Sequence, residues 1–272
     1  MTVKGDPIMA APYSTSRILT ASPHYAERPE RDRPQDPGTG RKKLVMRKYR
    51  ISALLEDGSL RESDQIGPAM PIFESAFSAF AHGTLIATSN GPVPVEDLVP
   101  GMNIWTIDRG AVPLLWLGSM TLMPRSDLLP QGSSLTRITA DSFGMGRPQA
   151  DVMAGPGARL LLRPGRGMAS SEAGRALIPA SRIVDGMNAI EITPPAPVTV
   201  YHLCLRRHAI ISAAGLETES FHPGPGFERN MGPNMLGLFL SFFPHVRAPR
   251  DFGQLAQERL PFDHELYNAE LA

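Results

Sequence analysis

The chain has 272 residues, of which 42% are hydrophobic, and its 27 basic and 27 acidic side chains give a formal net charge of zero. This length and apolar fraction suffice for a packed core, and the charge balance excludes a general electrostatic attraction to nucleic acid or to a membrane surface. The only cysteine is Cys204, which excludes an intramolecular disulfide.

The charges are unevenly distributed, since the chain up to Arg50 carries 11 basic and 5 acidic residues. Residues 1–44 are rich in Pro, Ser, Arg and Asp and lack apolar periodicity, so we predict a disordered tail there. An alternative is that translation begins at Met46, where the composition changes. The N-terminus also lacks the continuous apolar stretch of a secretory signal.

The longest apolar run is Met235–Phe243, which Gly237 and Ser241 interrupt and which is too short to span a bilayer. We therefore expect a protein that is cytoplasmic or exported without a signal peptide, with no membrane span. The glycine-rich segments 144–146 and 155–157 lack a lysine and the G-x-G-x-x-G spacing, so they predict turns rather than phosphate loops. No cofactor is predicted.

Residues 45–76 are predicted to form an N-terminal hairpin and a linker. Leu44–Leu54 alternates between apolar and polar residues, and Asp57-Gly58 is a turn signal. Phe73, Phe77 and Phe80 follow at the spacing of one helical face.

Short apolar runs separated by glycine turns occupy the stretch from Phe77 to Ser119. Asn90-Gly91, Pro100-Gly101 and Arg109-Gly110 are the turn signals, because Gly and Asn tolerate a positive φ. Three short strands and a following apolar run are expected here, which indicates a mostly β fold.

Three segments carry a resemblance to a known family. GTLIAT, PVEDL, PG and LLWLGS occur in this order after Phe77, and the set resembles the opening of a bacterial Hint (Hedgehog/intein) domain. ITADSFGMGRPQADVMAGPGARLLL resembles the second signature block of that family, and YHLCLRRHAIISAAGLETESFHPG resembles its end, with a hairpin expected at Arg206-Arg207-His208 and a second turn at Ala214-Gly215. The resemblance implies a compact all-β domain with pseudo-twofold symmetry over residues 77–224, and an ancestral activity that rearranges its own backbone.

The same resemblance implies which positions would carry that activity. The family's nucleophile precedes the aromatic residue of an x-F-x-x-G-T sequence, and here that position is Ala79. In the family's S/T-P-x-H sequence the hydroxyl position matches Gly155 and the imidazole position matches Ala158. Because a methyl group cannot attack a carbonyl, we predict a catalytically degenerate Hint domain with a structural or protein-interaction role.

The alternative is an active self-cleaving Hint protein that uses a non-standard nucleophile such as Ser78, with His82, His202 or His208 as base. A shift of one residue in a strand turns a side chain to the opposite face, which weighs against Ser78. His202, Cys204 and His208 would supply three zinc ligands without a CxxC pair, so no metal site is predicted.

Residues 225–272 are predicted to form a C-terminal helical extension. Leu236, Phe239, Leu240 and Phe243 fall on one helical face, either docked on the β core or available to a protein partner. Glu217 and Glu219 share a strand face with no nucleophile near them in sequence.

Overall fold

A computed structural model describes residues 45–124, 134–163 and 174–260. The predicted tail over residues 1–44 and the last part of the predicted extension, residues 261–272, lie outside this range. The predicted mostly β fold is confirmed, because the described residues form one large antiparallel sheet with two short helices of 4 and 9 residues.

The described residues form fifteen strands: β1 (Met46–Leu54), β2 (Leu60–Pro68), β3 (Phe80–Ala81), β4 (Leu85–Thr88), β5 (Gly91–Pro94), β6 (Asn103–Thr106), β7 (Gly110–Leu122), β8 (Leu135–Ile138), β9 (Val152–Ala154), β10 (Arg159–Leu162), β11 (Ala176–Pro179), β12 (Ala189–Ile192), β13 (Val198–Leu205), β14 (Ile210–Ala213) and β15 (Leu216–Glu219). The helices are α1 (Pro71–Glu74) and α2 (Pro233–Ser241), and short 3-10 turns cover Ser75–Phe77, Val95–Asp97, Ala180–Ile183, Phe227–Asn230 and Pro249–Phe252.

The 13-residue strand β7 joins the two halves of the sheet. Its first residues, Gly110–Pro113, pair with β6, and its remainder pairs with β13. β1 adds to the other edge of β7, where Ile51 lies opposite Gly118. The strand order β11-β10-β15-β14-β4-β6-β7-β13-β3-β9-β8-β12 therefore has the N-terminal hairpin attached at β7.

The predicted N-terminal hairpin is confirmed, since β1 and β2 pair along their whole length. The prediction that Phe73, Phe77 and Phe80 share a helical face is wrong for Phe80. The helical segment ends at Phe77, and Phe80 lies on β3 in a different apolar cluster.

The predicted hairpin at Arg206-Arg207-His208 is also wrong. β13 pairs with β3 and β7, whereas β14 pairs with β4, β6 and β15, so the chain changes partners at this point. The turn at Ala214-Gly215 is confirmed: it joins β14 to β15, and both residues have a positive φ, 49° and 84°.

An aromatic core lies where β1, α1 and β7 meet the C-terminal segment. It contains Tyr49, Phe73, Phe77, Trp116, Phe221, Phe239, Phe242 and Phe243. Trp116 donates a hydrogen bond from Nε1 to the carbonyl oxygen of Phe242 at 2.7 Å, so the buried indole has its polar partner. Gly118 is required beside this ring, because a Cβ there would lie 2.1 Å from Cη2 of Trp116.

A second apolar cluster lies at the other side of the sheet and contains Ala79, Phe80, Ala154, Ala158 and Leu203 among its members. It is built around small side chains where β3, β9 and β13 meet, which brings their backbones close together. Within the described part of the chain, neither helix is long and apolar enough to cross a lipid bilayer.

Candidate functional site

The peptide bond between Ser78 and Ala79 is held by backbone hydrogen bonds on both sides. The N–H of Ala79 donates to the carbonyl oxygen of Tyr201 at 2.8 Å. The carbonyl oxygen of Ser78 accepts from the N–H of Gly157 at 2.9 Å, and that of Ala79 accepts from Gly155 at 2.9 Å. The segment 155–158 therefore lies directly against this peptide.

Two glycines make this approach possible. A Cβ on Gly155 would lie 2.0 Å from the carbonyl oxygen of Ser78, and a Cβ on Gly157 would lie 2.3 Å from that of Ser75. Neither glycine adopts a positive φ, so backbone proximity rather than backbone conformation excludes a side chain at these positions.

Ala79 and Ala158 belong to the same buried cluster, and each is at most 2% exposed. The N–H of Ala158 donates to the oxygen of Gly155 at 3.0 Å, and its own oxygen accepts from Ala180 at 2.9 Å. The two positions that the resemblance assigns to the nucleophile and the imidazole therefore lie in one buried cluster, each with a methyl side chain.

The space beside Ala158 is small. A cavity of about 10 Å³ is lined by apolar side chains, including Phe80 and Leu160, and by Thr218. This volume could hold about one water molecule, since a water needs about 10–15 Å³ of probe-occupied volume. Thr218 Oγ1 is buried and, among the described residues, has no hydrogen-bond partner.

The structure places Ser78 Oγ in hydrogen-bond contact with none of the candidate bases His82, His202 and His208. Ser78 is fully buried, and its Oγ has no hydrogen-bond partner within the described ranges. His82 lies at the surface, with Nδ1 3.2 Å from Oε1 of Glu96, and His208 is buried beside Glu219.

Glu219 is the centre of a buried ion-pair cluster that the sequence analysis missed. Its side chain is 1% exposed and accepts hydrogen bonds from Arg159 at 3.1 Å and from Arg259 at 3.0 and 3.1 Å. Burial alone would raise the pKa of Glu219, but Arg259, His208 and Arg159 outweigh burial and hold this pKa well below its usual range. Glu219 is therefore a charged structural residue.

His208 completes this cluster and its tautomer follows from the hydrogen bonds. Nδ1 accepts the N–H of Ala256 at 2.8 Å, so the proton of the neutral ring is on Nε2. Nε2 then donates to Oε2 of Glu219 at 3.1 Å. With both nitrogens occupied, the ring ties β15 to the C-terminal segment.

His202 and Cys204 lie on β13 and are both buried. Burial lowers the pKa of His202 to about 3 and raises the pKa of Cys204 to about 12, which favours the neutral imidazole and the neutral thiol. A neutral thiol is a poor nucleophile and metal ligand. Over the described ranges, no group of three His, Cys, Asp or Glu residues could hold a metal ion.

The predicted C-terminal stripe is divided between the core and the surface. Phe239 and Phe243 are buried in the aromatic core, at 1% and 0% exposure, whereas Leu236 and Leu240 are half-buried. Phe243 also lies beyond the end of α2. Two of the four side chains proposed for a protein partner therefore pack inside the molecule.

Comparison with known proteins places this arrangement in a family. The model of the family described as Hint domain matches residues 78–225. The chain is also similar to the solution structure of a bacterial intein-like domain from Clostridium thermocellum, with 13% identity over 53% of this chain and 99% of that one and a TM-score of 0.37. The crystal structure of the MchDnaB-1 intein gives 11% identity, 53% and 100% coverage and a TM-score of 0.33.

The search of curated proteins found no match. The Hint domain match begins at Ser78, one residue before Ala79, and extends beyond the strand that carries Glu219. It covers more than half of the 272 residues, and the protein therefore belongs to the Hint domain family.

Proposed function

We propose that this protein is a catalytically degenerate Hint domain with a structural role. The observation that carries the proposal is the Ser78–Ala79 peptide, in which the N–H and the C=O are both bound by backbone groups. The side chain that follows this peptide is a methyl group. The peptide is thereby integrated into the sheet beside a turn that offers it no imidazole.

The chemistry of backbone rearrangement supports this proposal. The first step needs a thiol or hydroxyl to attack the preceding carbonyl carbon, and a second group to protonate the departing nitrogen. Ala79 offers no nucleophilic atom, and Ala158 offers no proton. The missing Cβ of Gly155 is consistent with a site that has closed onto the Ser78 carbonyl, because a hydroxyl-bearing residue would collide with that oxygen.

The structural role proposed is to hold both flanking segments in one folded unit. Residues from before and after the matched domain contact each other: the rings of Phe73 and Phe239 are 5.3 Å apart, and those of Tyr49 and Phe242 are 5.4 Å apart. Trp116 on β7 bonds to the C-terminal flank. Cleavage at the start of the domain would break the covalent link between two flanking segments whose side chains pack in the same core.

Incubation of the purified chain with dithiothreitol and then hydroxylamine tests the proposal, with intact mass as the readout. Both reagents cleave a thioester, and hydroxylamine also cleaves an ester, so an active Hint site would release fragments. We expect a single species at the full mass. Time-dependent fragments that begin near Ser78 would contradict the proposal.

One observation favours a second candidate, self-cleavage through Ser78. Its buried hydroxyl has no hydrogen-bond partner in the described part of the chain, and such a group calls for an explanation. In this reaction Ser78 Oγ would attack the carbonyl carbon of Phe77, forming an ester and freeing the Ser78 amino group. Fragmentation that is lost in Ser78→Ala but kept in the neighbouring control Ser75→Ala would establish it.

A further inference from the structure

Residues 253–260, which we call the strap, lie across the end of the matched domain and are held there mainly by polar contacts. Phe252, directly before the strap, is buried in the aromatic core, whereas every residue of the strap is exposed or half-buried. Segments with few buried apolar side chains open locally at a lower free energy than the whole protein unfolds. The polar contacts of the strap therefore decide whether it stays docked.

One set of these contacts extends the sheet. β11 pairs with β10 on one side, and the strap pairs with its other edge through a parallel bridge between Leu177 and Arg259. The N–H of Leu177 donates to the oxygen of Glu258 at 2.8 Å, and the oxygen of Leu177 accepts the N–H of Leu260 at 3.2 Å. Release of the strap would free both backbone groups at a sheet edge.

Two histidines bind the other part of the strap. Nδ1 of His208 accepts the N–H of Ala256 at 2.8 Å, and Nε2 of His222 donates to the oxygen of Gly253 at 3.1 Å. Nδ1 of His222 accepts the N–H of Gly224 at 2.9 Å. The two rings are in contact, with centroids 5.5 Å apart. Each ring is thus bound in its neutral form, with Nδ1 as the acceptor.

The two rings differ in what a proton on Nδ1 would break. An imidazolium has two donors and no acceptor, so protonation of His208 removes the hydrogen bond from Ala256 and with it a contact of the strap. Protonation of His222 removes the hydrogen bond from Gly224, which lies outside the strap, and leaves the contact with Gly253 in place. His208 is therefore the ring that couples proton uptake to the strap.

The charged and titratable groups around His208 come from several elements. They are Glu219 on β15, Arg159 on β10, His202 on β13, His222, Arg259 in the strap, and Arg109, whose guanidinium donates to the carbonyl oxygen of His208.

Glu219 is the acid of this group, and its counter-ions can be exchanged. With the strap docked, Arg259 donates to the Glu219 carboxylate at 3.0 and 3.1 Å. Arg259 leaves with the strap. Nε2 of His208 already lies 3.1 Å from Oε2 of Glu219, so a His208 imidazolium would replace the lost positive charge.

We propose that mild acid releases the strap, because a proton taken up at Nδ1 of His208 replaces the N–H of Ala256. The released state binds one proton more than the docked state, so its population increases as the pH falls below the ordinary histidine pKa of about 6.5. One coupled proton changes the docking equilibrium by up to about tenfold per pH unit. The released strap leaves the edge of β11 unpaired.

Amide hydrogen exchange of the full chain, followed by NMR between about pH 6.5 and about pH 5.5, tests the proposal. Each rate is divided by the intrinsic exchange rate at the same pH. We expect the protection of the Ala256 and Leu177 amides to fall by about tenfold per pH unit, while amides of β7 and β13 remain more strongly protected. Protection of the strap that is independent of pH, or that equals the protection of β7 and β13 throughout, would overturn the proposal.

His208→Gln separates the proton from the packing. Glutamine offers an acceptor and a donor but does not titrate, so the strap should lose most of its pH dependence over this range. His82→Gln is the control, because His82 is exposed and lies beside Glu96, outside the contacts of the strap; it should keep the wild-type pH dependence. An unchanged pH dependence in His208→Gln would refute the role of His208. The wild-type exchange profile tests the release itself even if His208→Gln is destabilised.

Discussion

The α-carbon of Gly155 faces the carbonyl oxygen of Ser78 so closely that a Cβ would lie 2.0 Å from it. The same glycine donates its N–H to the oxygen of Ala79 at 2.9 Å. These two contacts bind the 155–158 turn to the start of the matched domain, at the position where the family resemblance implies a hydroxyl-bearing residue.

Gly155→Ala should therefore destabilise the protein by about 3 kcal/mol or more, since overpacking against backbone cannot be relieved by a rotamer change. Gly237→Ala is the matched control, because Gly237 lies in α2 with nothing near its missing Cβ. That variant should be stabilised by about 0.5–1 kcal/mol. Urea unfolding measures both, and equal effects would contradict the close approach at Gly155.

Glu219→Gln should cost about 3–5 kcal/mol, because it leaves buried arginine charge without its counter-ion. The exposed pair of Glu56 and Arg247, with side chains 81% and 78% exposed, gives the control. Glu56→Gln should change the free energy of unfolding by about 0.5 kcal/mol or less. A cost for Glu219→Gln as small as that of the control would contradict the cluster's structural role.

Glu219→Gln should also change how the free energy of unfolding depends on pH in the acidic range. Because the folded-state pKa of Glu219 is depressed, its contribution is fully present above the unfolded value of about 4.3 and is lost as the pH falls towards the folded value. Wild-type stability should fall more steeply below pH 4.3 than that of Glu219→Gln. Parallel curves for the two proteins would contradict this.

Buried histidines should make the protein sensitive to mild acid. Burial lowers the pKa of His202 to about 3 and that of His222 and His245 to about 4. The pKa of histidine in the unfolded chain is about 6.5. Below this pH the unfolded state binds more protons than the folded state, so each buried histidine lowers the free energy of unfolding by up to about 1.4 kcal/mol per pH unit. The free energy of unfolding should fall between about pH 6.5 and pH 4.

His245→Phe isolates one of these groups. Both ring nitrogens of His245 are buried and lack a hydrogen-bond partner among the described residues. The variant should be more stable by about 1 kcal/mol at pH 8, and its advantage should increase as the pH is lowered to 5. An advantage that is the same at both pH values would contradict the burial of a neutral ring.

Trp116→Phe should loosen the C-terminal flank, because it removes the hydrogen bond to the Phe242 carbonyl and leaves a gap beside Gly118. We expect a loss of about 2 kcal/mol and faster limited proteolysis within residues 233–252. Trp105→Phe is the control, since Trp105 is 49% exposed on β6. If both variants are proteolysed at the same rate, Trp116 does not hold the flank.

Local features were predictable from the sequence. Gly91, Gly101 and Gly110 were expected at turns, and all have a positive φ, between 67° and 105°. The family resemblance was carried by short motifs, and the Hint domain match over residues 78–225 confirms it. In both cases the signal is carried by short runs of residues, either through backbone conformation or through a recognisable motif.

Long-range pairings were not predictable. Glu219 meets Arg159 and Arg259, which are 60 and 40 residues away in sequence, so nothing local indicated its burial. The predicted hairpin at residues 206–208 was wrong because β13 and β14 do not pair with each other. β13 pairs with β3 and β7, whereas β14 pairs with β4, β6 and β15, and a local turn signal contains no information about such partners.

Peptide mass mapping of the wild-type chain after hydroxylamine treatment tests the central claim most directly. Transfer of the Ser78 acyl group to a nucleophile from elsewhere in the chain would leave a hydroxamate on Ser78 and a fragment that begins at Ala79. Transfer to Ser78 would leave it on Phe77 and a fragment that begins at Ser78. The structure predicts neither, with every peptide that spans residues 77–79 recovered intact; either hydroxamate would contradict a degenerate site.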